Sequence, residues 1–489
     1  MKTSFTKLPA SKLTKFILIL WIIFVLAHIT FSVFAQNQSD RSNSAGTKLQ
    51  LDAGKALLNF PKTVERYYQT KGFKLSWVEK GHHNPNTETA MRFLDCIRQF
   101  GLNPIDYHPN ELLYSELKLL IENSDSVGEG QRTNFDMLLT DAIITAMNQL
   151  HYGKFNPYYS QTEIDNGYLP HFNADFVLFR IIDAQDFYAA FLKVQPSNTE
   201  YSALQKNMQL VLGQYILDSY EYPQANVRKM AINMERLRWV SATKGNFINV
   251  NIPSFQLKVS INDSVRTFRA IVGSPDSPTK SFESTLTRIT AAPALKVPAE
   301  LFVAVILPAA IKDLTYLDQN HYSIFDHQHQ RININKRKLA KISKNPGAYT
   351  ARQSPDDDNT LGNILFRIDD QPDGAIYDHR ESKSFSTKER ATSNGRIKIE
   401  KAEQLAKILL IADGSQEMVP VLENALAGYH YKNFYLKKPI PISVTYLTCE
   451  MIDGRLIIYK DIYQKDAELE RKVFGELPSA IARRKSIKR

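Results

Sequence analysis

The sequence predicts an α+β fold, a helical N-terminal domain followed by a β-dominated one, and three observations carry that reading. The chain has 489 residues, 43% hydrophobic and 23% charged. That is the composition of a folded protein, and the length suits two to four domains. From about Leu51 to Leu217 apolar residues recur at helical spacing, as in Phe135, Leu138, Leu139, Ala142, Ile143, Ala146 and Leu150. Beyond Trp239 the period changes to two: Ile248, Val250 and Ile252, then Phe255, Leu257, Val259 and Ile261, alternate with polar residues.

Taken in order, Lys2, Lys7, Lys12 and Lys15 precede an apolar run over 16–27 and a Val33-Phe34-Ala35 end. Residues 1–35 therefore have the form of a secretory leader, with an uncleaved membrane anchor as the alternative. Either form sends the bulk of the chain out of the cytoplasm, to the periplasm or cell envelope, with membrane contact confined to this segment. Losing the four leader lysines lowers the formal charge from +10 to +6, a mild bias toward anionic surfaces. No nucleic-acid partner is expected. Residues 36–50 are polar and read as a flexible spacer.

The helical domain is expected over 51–222. Its periodic helix at 134–150 has Asn134 as a candidate cap and Gly153 just past its end. Cys96 and Cys449 are the two cysteines, too few and too far apart for a disulfide framework, and both read as small buried or half-buried residues. The second domain is expected over 223–466. It starts with a helix at 227–240, then a hairpin turning at Asn262-Asp263 and returning over 265–273. Short helices are expected at 301–314 and 336–343. The intervening His321, His327 and His329 lie in a loop-like stretch that does not fix metal geometry, so no metal site is assigned. An amphipathic helix spans 400–412, and 439–446 with 455–459 are expected to form a hairpin around Asp453-Gly454. A basic tail, 467–489, closes the chain.

Several segments carry a resemblance. Lys71-Gly72-Phe73-Lys74-Leu75-Ser76-Trp77, the run from Gly101 to His108, and His151-Tyr152-Gly153-Lys154-Phe155-Asn156-Pro157 precede a glycine-proline turn at 272–279. Then come Asn359-Thr360-Leu361-Gly362, Ile376-Tyr377-Asp378-His379, Ser393-Asn394-Gly395-Arg396-Ile397-Lys398 and Asp461-Ile462-Tyr463. In this order they resemble the L,D-transpeptidases of bacterial peptidoglycan (YkuD-type catalytic domain), of the large type with a helical scaffold. The stretch 201–222 leaves no room for the peptidoglycan-binding module that such relatives commonly insert.

The resemblance implies a Cys nucleophile that forms a thioester with a donor stem peptide, a His base, and no cofactor. His379 falls at the base position. The family signature reads Ser-His-Gly-Cys, and here Asn394 replaces its His and Arg396 its Cys, while Ser393 and Gly395 are kept. A guanidinium offers no lone pair for acyl transfer. Leu295, where relatives usually have an aromatic, is a further departure. Three readings stay open. Arg396 with Lys398, beside Tyr377, clamps a carboxylate of a peptidoglycan stem peptide in a binding or regulatory protein. Ser393 acts as nucleophile with His379 as base in a living enzyme. Or the chain is a structural partner of an active cell-wall enzyme. Against the first stand a folded domain with an inert pocket and, for Arg396 itself, a solvated charge or an internal partner to Asp378 or Glu381.

Overall fold

The computed structural model describes residues 47–475 apart from 124, 170–171, 214–223, 242–244, 294, 329, 354–361, 370–374 and 380–381. The leader, the boundary expected near 222, Arg380 and Glu381 lie outside the described residues. The chain divides into two compact units, one mainly of residues up to 196 and one mainly from 220 onward, and its architecture is α+β. Residues 47–54 are helical, so helix begins inside the expected spacer.

The first unit is helical around α1 (Pro61–Thr70) and α2 (Glu129–Tyr152). Helix α2 starts at Glu129 with Gly128 as its cap, five residues before the expected start at Asn134. The apolar pattern hides this start because α2 is buried around most of its circumference and buries Arg132, Asp136, Thr140 and Asp141 as well. Such groups must find partners inside the protein. Asp136 accepts the backbone N–H groups of Ser76, Trp77 and Val78 at 2.6–3.0 Å. Asp141 accepts those of Asn59 and Phe60 at 3.0 Å and lies 2.7 Å from His108 Nε2. Asp165 accepts the N–H groups of Lys62 and Thr63, serving the open first turn of α1. Cys96 follows a helix ending at Asp95 and is exposed, a correction to the burial expected for it; Cys449 is buried.

The second unit opens with α3 (Gln224–Arg238) and is built on one nine-stranded sheet. Its strands are β1 (Phe247–Asn251), β2 (Gln256–Ile261), β3 (Ser264–Gly273), β4 (Phe282–Ala291), β5 (Ile364–Ile368), β6 (Ala375–Asp378), β7 (Ala391–Ser393), β8 (Ile397–Ile399) and β9 (Lys432–Thr445). They lie in the order β7-β3-β8-β6-β5-β4-β9-β1-β2, and β2 pairs with β3 again, curling the sheet into a barrel-like form. The β2–β3 turn has Asn262 and Asp263 at φ 48° and 63°, the left-handed pair of a two-residue hairpin. Ile289, Ile376, Ile397, Phe366 and Phe434 face a core completed by Leu405 and Leu409 of α4 (Ala402–Ala412).

Two expectations change here. Residues 439–446 do not pair with 455–459: the strand β9 that holds them lies between β4 and β1, and Cys449–Ile452 pairs with Arg455–Ile458 instead. A single residue-pattern cannot tell which of two neighbouring strands the turn joins. The tail is folded at its start, since Asp466–Phe474 is a helix. It is held to α3 by Arg236 Nη1 at 2.6 Å from Asp466, by Lys229 to the same carboxylate, and by Arg228 to Glu470.

Between β4 and β5 the chain forms a small subdomain. Leu295–Lys296, Thr350–Gln353 and Tyr322–Phe325 make its sheet, and Leu307–Lys312 and Lys336–Lys344 are helices over a separate apolar core.

Candidate functional site

The signature segment runs from the end of β7 through Gly395 into β8, and it is shaped by its neighbours together with its own Ser393 side chain. Gly395 has φ +76°, a conformation that suits glycine. Gly273 approaches so closely that a Cβ there would lie 2.2 Å from Ser277 O and 2.8 Å from Gly395 Cα. Thr279, 2% exposed, bridges the two glycines. Its Oγ1 accepts from Gly273 N at 2.8 Å and donates to Gly395 O at 3.0 Å. Tyr463 Oη donates to Gly273 O at 2.7 Å and accepts from Thr279 N at 3.1 Å. Burial raises the Tyr463 phenol, keeping it a donor, and its ring stacks on Tyr446 with centroids 5.5 Å apart. Ser274 N donates to Ser393 O at 2.8 Å.

Within this frame the seven candidate residues take different places. Ser393 is buried and its hydroxyl donates to the carbonyl of Arg396. Asn394 and Arg396 are exposed, and Gly395 and Lys398 are half-buried. The Arg396 guanidinium lies over the Tyr377 ring, 5.2 Å from its centroid, a cation–π arrangement. Tyr377 is buried in β6 opposite Lys398 of the parallel strand β8. Arg396 is thus drawn to Tyr377, while Asp378 accepts the N–H of Asn363 at 3.0 Å. Burial pushes the Asp378 carboxyl up, and the N–H groups of Asn363 and His379 pull it the other way.

His379 is half-buried, with its ring 5.7 Å from that of Phe385. It follows the Asp378–Ile399 pair, whereas Arg396 precedes the Ile376–Ile397 pair. The structure brings Arg396 to Tyr377.

Thr279 and Tyr463 are the residues that reading the sequence missed as part of the site. The signal was there in the glycine-proline turn and the Asp461-Ile462-Tyr463 segment, which meet at Gly395.

Residues 62–208 match the family described as "Scaffold domain". The chain is 30% identical over 243 residues to a Haemophilus influenzae protein named "Putative L,D-transpeptidase". That match covers 50% of this chain and 49% of the relative, so the chain spans about half the length of the curated relative it matches. Among the described residues no helix is long and apolar enough to cross a membrane.

Proposed function

We propose that this chain, which is of the L,D-transpeptidase type, binds peptidoglycan stem peptides at the signature position without transpeptidating them, in a binding or regulatory role. The observation that carries the reading is the state of position 396. An exposed guanidinium stands where the resemblance places a thiolate, and it lies 5.2 Å from the centroid of the Tyr377 ring. A guanidinium fork suits a carboxylate, and Lys398 on the neighbouring register position adds a second cation. The alternative in which Ser393 attacks is disfavoured by its hydroxyl being given to Arg396 O. A nucleophile needs that proton directed to a base.

The test is mass spectrometry and calorimetry on the purified protein with tetrapeptide muropeptides. The reading expects no cross-linked dimer and no covalent adduct, and binding that falls about tenfold or more in Arg396→Ala, the loss of one charge-assisted contact. Product that appears and then vanishes in His379→Ala overturns it in favour of a living enzyme. The reading also expects the protein in the periplasm or envelope, in company with an active cell-wall enzyme. Cell fractionation with co-purification checks both.

A further inference from the structure

The small subdomain between β4 and β5 carries a surface that the stem-peptide reading does not use. Its first helix runs over 299–312 and includes a π-turn at Phe302–Ile306. Phe302, Ile306, Leu307 and Ala310 point into the subdomain core, where Leu339 and Ile342 of helix Lys336–Lys344 join them. The opposite side of helix 299–312 is apolar as well. Leu301, Val303, Val305 and Ile311 are each 43–52% exposed, and Ala304 and Pro308 lie exposed among them. Its charged residues are Glu300 and Lys312, one near each end. A helix that is apolar on both sides has a second apolar phase to meet.

Helix Lys336–Lys344 packs beside it over the same core, so the outer faces of the two helices adjoin. Here the exposed residues are basic: Lys336, Arg337, Lys338, Lys341 and Lys344. At about 100° per residue, Arg337, Lys341 and Lys344 project away from the buried Leu339 and Ile342, with Lys336 and Lys338 at the flanks. None of the five makes an ion pair among the described residues. No carboxylate occurs in the sequence between Asp326 and Asp356. Over 295–353 there are nine lysines and arginines against four carboxylates, a net charge of +5. Two of those four are turned to their own loops: Asp313 accepts from Thr315 N and Oγ1, and Asp326 from Gln328 N and Gln330 N.

We propose that the outer faces of these two helices form a docking surface for an anionic lipid bilayer, a membrane contact additional to the one expected at residues 1–35. It is independent of what binds at position 396. Leu301, Val303, Val305 and Ile311 enter the boundary between headgroups and acyl chains, while Arg337, Lys341 and Lys344 rest on the lipid phosphates. Lipid suits this face better than a protein partner does. Neither helix exposes an aromatic ring, since the one aromatic residue between them, Phe302, is buried. Protein interfaces centre on aromatic anchors seated in pockets, whereas acyl chains accept aliphatic side chains without a shape match. The same lack of open rings disfavours sugars. The unpaired cations have no internal partner to give up on meeting an anionic surface.

The test uses the full chain carrying Val305→Trp, with the wild type as the background for Trp21, Trp77 and Trp239. The probes are vesicles of phosphatidylcholine with phosphatidylglycerol, about two to one, and vesicles of phosphatidylcholine alone. On the mixed vesicles the added tryptophan should shift its emission to shorter wavelength and be quenched when the acyl chains are brominated. Residues 1–35 are present in every variant, and vesicle binding through them alone gives no signal at position 305. Arg337→Gln, Lys341→Gln and Lys344→Gln combined should lower the partition coefficient read at that position at least tenfold, each cation contributing roughly fivefold. Val303→Ser with Ile311→Ser should weaken it by a similar factor. If a combined variant melts below the wild type, Lys341→Gln and Lys344→Gln taken singly read the effect at about fivefold each. No shift and no quenching at position 305 overturns the proposal, and so does equal quenching by phosphatidylcholine alone. A shift that grows with protein concentration in the absence of lipid makes the face an interface between copies of this chain and overturns it as well.

Discussion

Replacing Thr279 by Val isolates the contacts that shape the signature turn. Valine keeps the volume but removes the hydroxyl that accepts from Gly273 N and donates to Gly395 O. Both backbone groups are then left without a partner at a site where Thr279 is 2% exposed. Each such group costs about 1–3 kcal/mol, and some relaxation is expected, so the variant should lose roughly 2–4 kcal/mol. For a unit of this size that is a drop in melting temperature of about 5–15 °C. Thr279→Ser keeps both hydrogen bonds and gives up one methyl, about 1 kcal/mol. Differential scanning calorimetry on the two variants reads the difference directly. A Val variant within a degree of the wild type, or a Ser variant as damaged as the Val one, refutes the view that this hydroxyl holds the turn.

Four further outcomes follow from the same contacts. Cys96 is exposed, whereas burial pushes the Cys449 thiol up to about 12; a colorimetric thiol assay on native protein should count one reactive cysteine and lose it in Cys96→Ser. Burial alone would raise the Asp466 carboxyl, but Arg236 and Lys229 hold it below its ordinary value. Its contribution is therefore full above the unfolded value near 3.8 and is lost as pH falls through the lower folded value. Asp466→Asn should cost about 3 kcal/mol or more at pH 7 in urea denaturation, with the gap closing below about pH 4. Asp378 is raised by burial, so its sign is opposite: stability is full below the unfolded value and is lost as pH rises toward the folded one. Asp378→Asn, which can still accept from Asn363 N, should equal or exceed the wild type above that window in the same titration. Arg396→Cys should change stability by no more than about 1 kcal/mol, the worth of its exposed cation–π contact, and should add a second reactive thiol.

The fold was legible where packing follows period. The switch from helical spacing to alternation at Ile248 marks β1, and Asn262-Asp263 marks the turn that the structure builds from two left-handed residues. It was not legible where long-range polar contacts decide. The start of α2 is hidden because Asp136 and Asp141 are inside, serving backbone groups some 60 to 80 residues away. Those partners explain the short segments noticed in the sequence. Ser76 and Trp77 end on Asp136, and His108 ends on Asp141. The misplaced hairpin has the same origin, since nothing local says that the strand ending at Thr445 pairs with β1 and β4 while Cys449–Ile452 takes the turn partner. At the site, the sequence named the signature residues but not the roles of Thr279 and Tyr463, because contacts across more than 100 residues bring them to the two glycines.

The frame of the signature turn does not depend on the two side chains in which it departs from the family pattern. The turn is held by Gly273 N and O, Gly395 O, Ser393 O and Ser274 N on the backbone, and by the side chains of Thr279, Ser393 and Tyr463. None of these contacts uses the side chain of Asn394 or Arg396, which are exposed. Substitution at those two positions therefore leaves the frame's hydrogen bonds untouched. An exposed arginine in a turn fixed by its neighbours presents its charge at a defined place, and Tyr377 beneath it narrows the directions it can point.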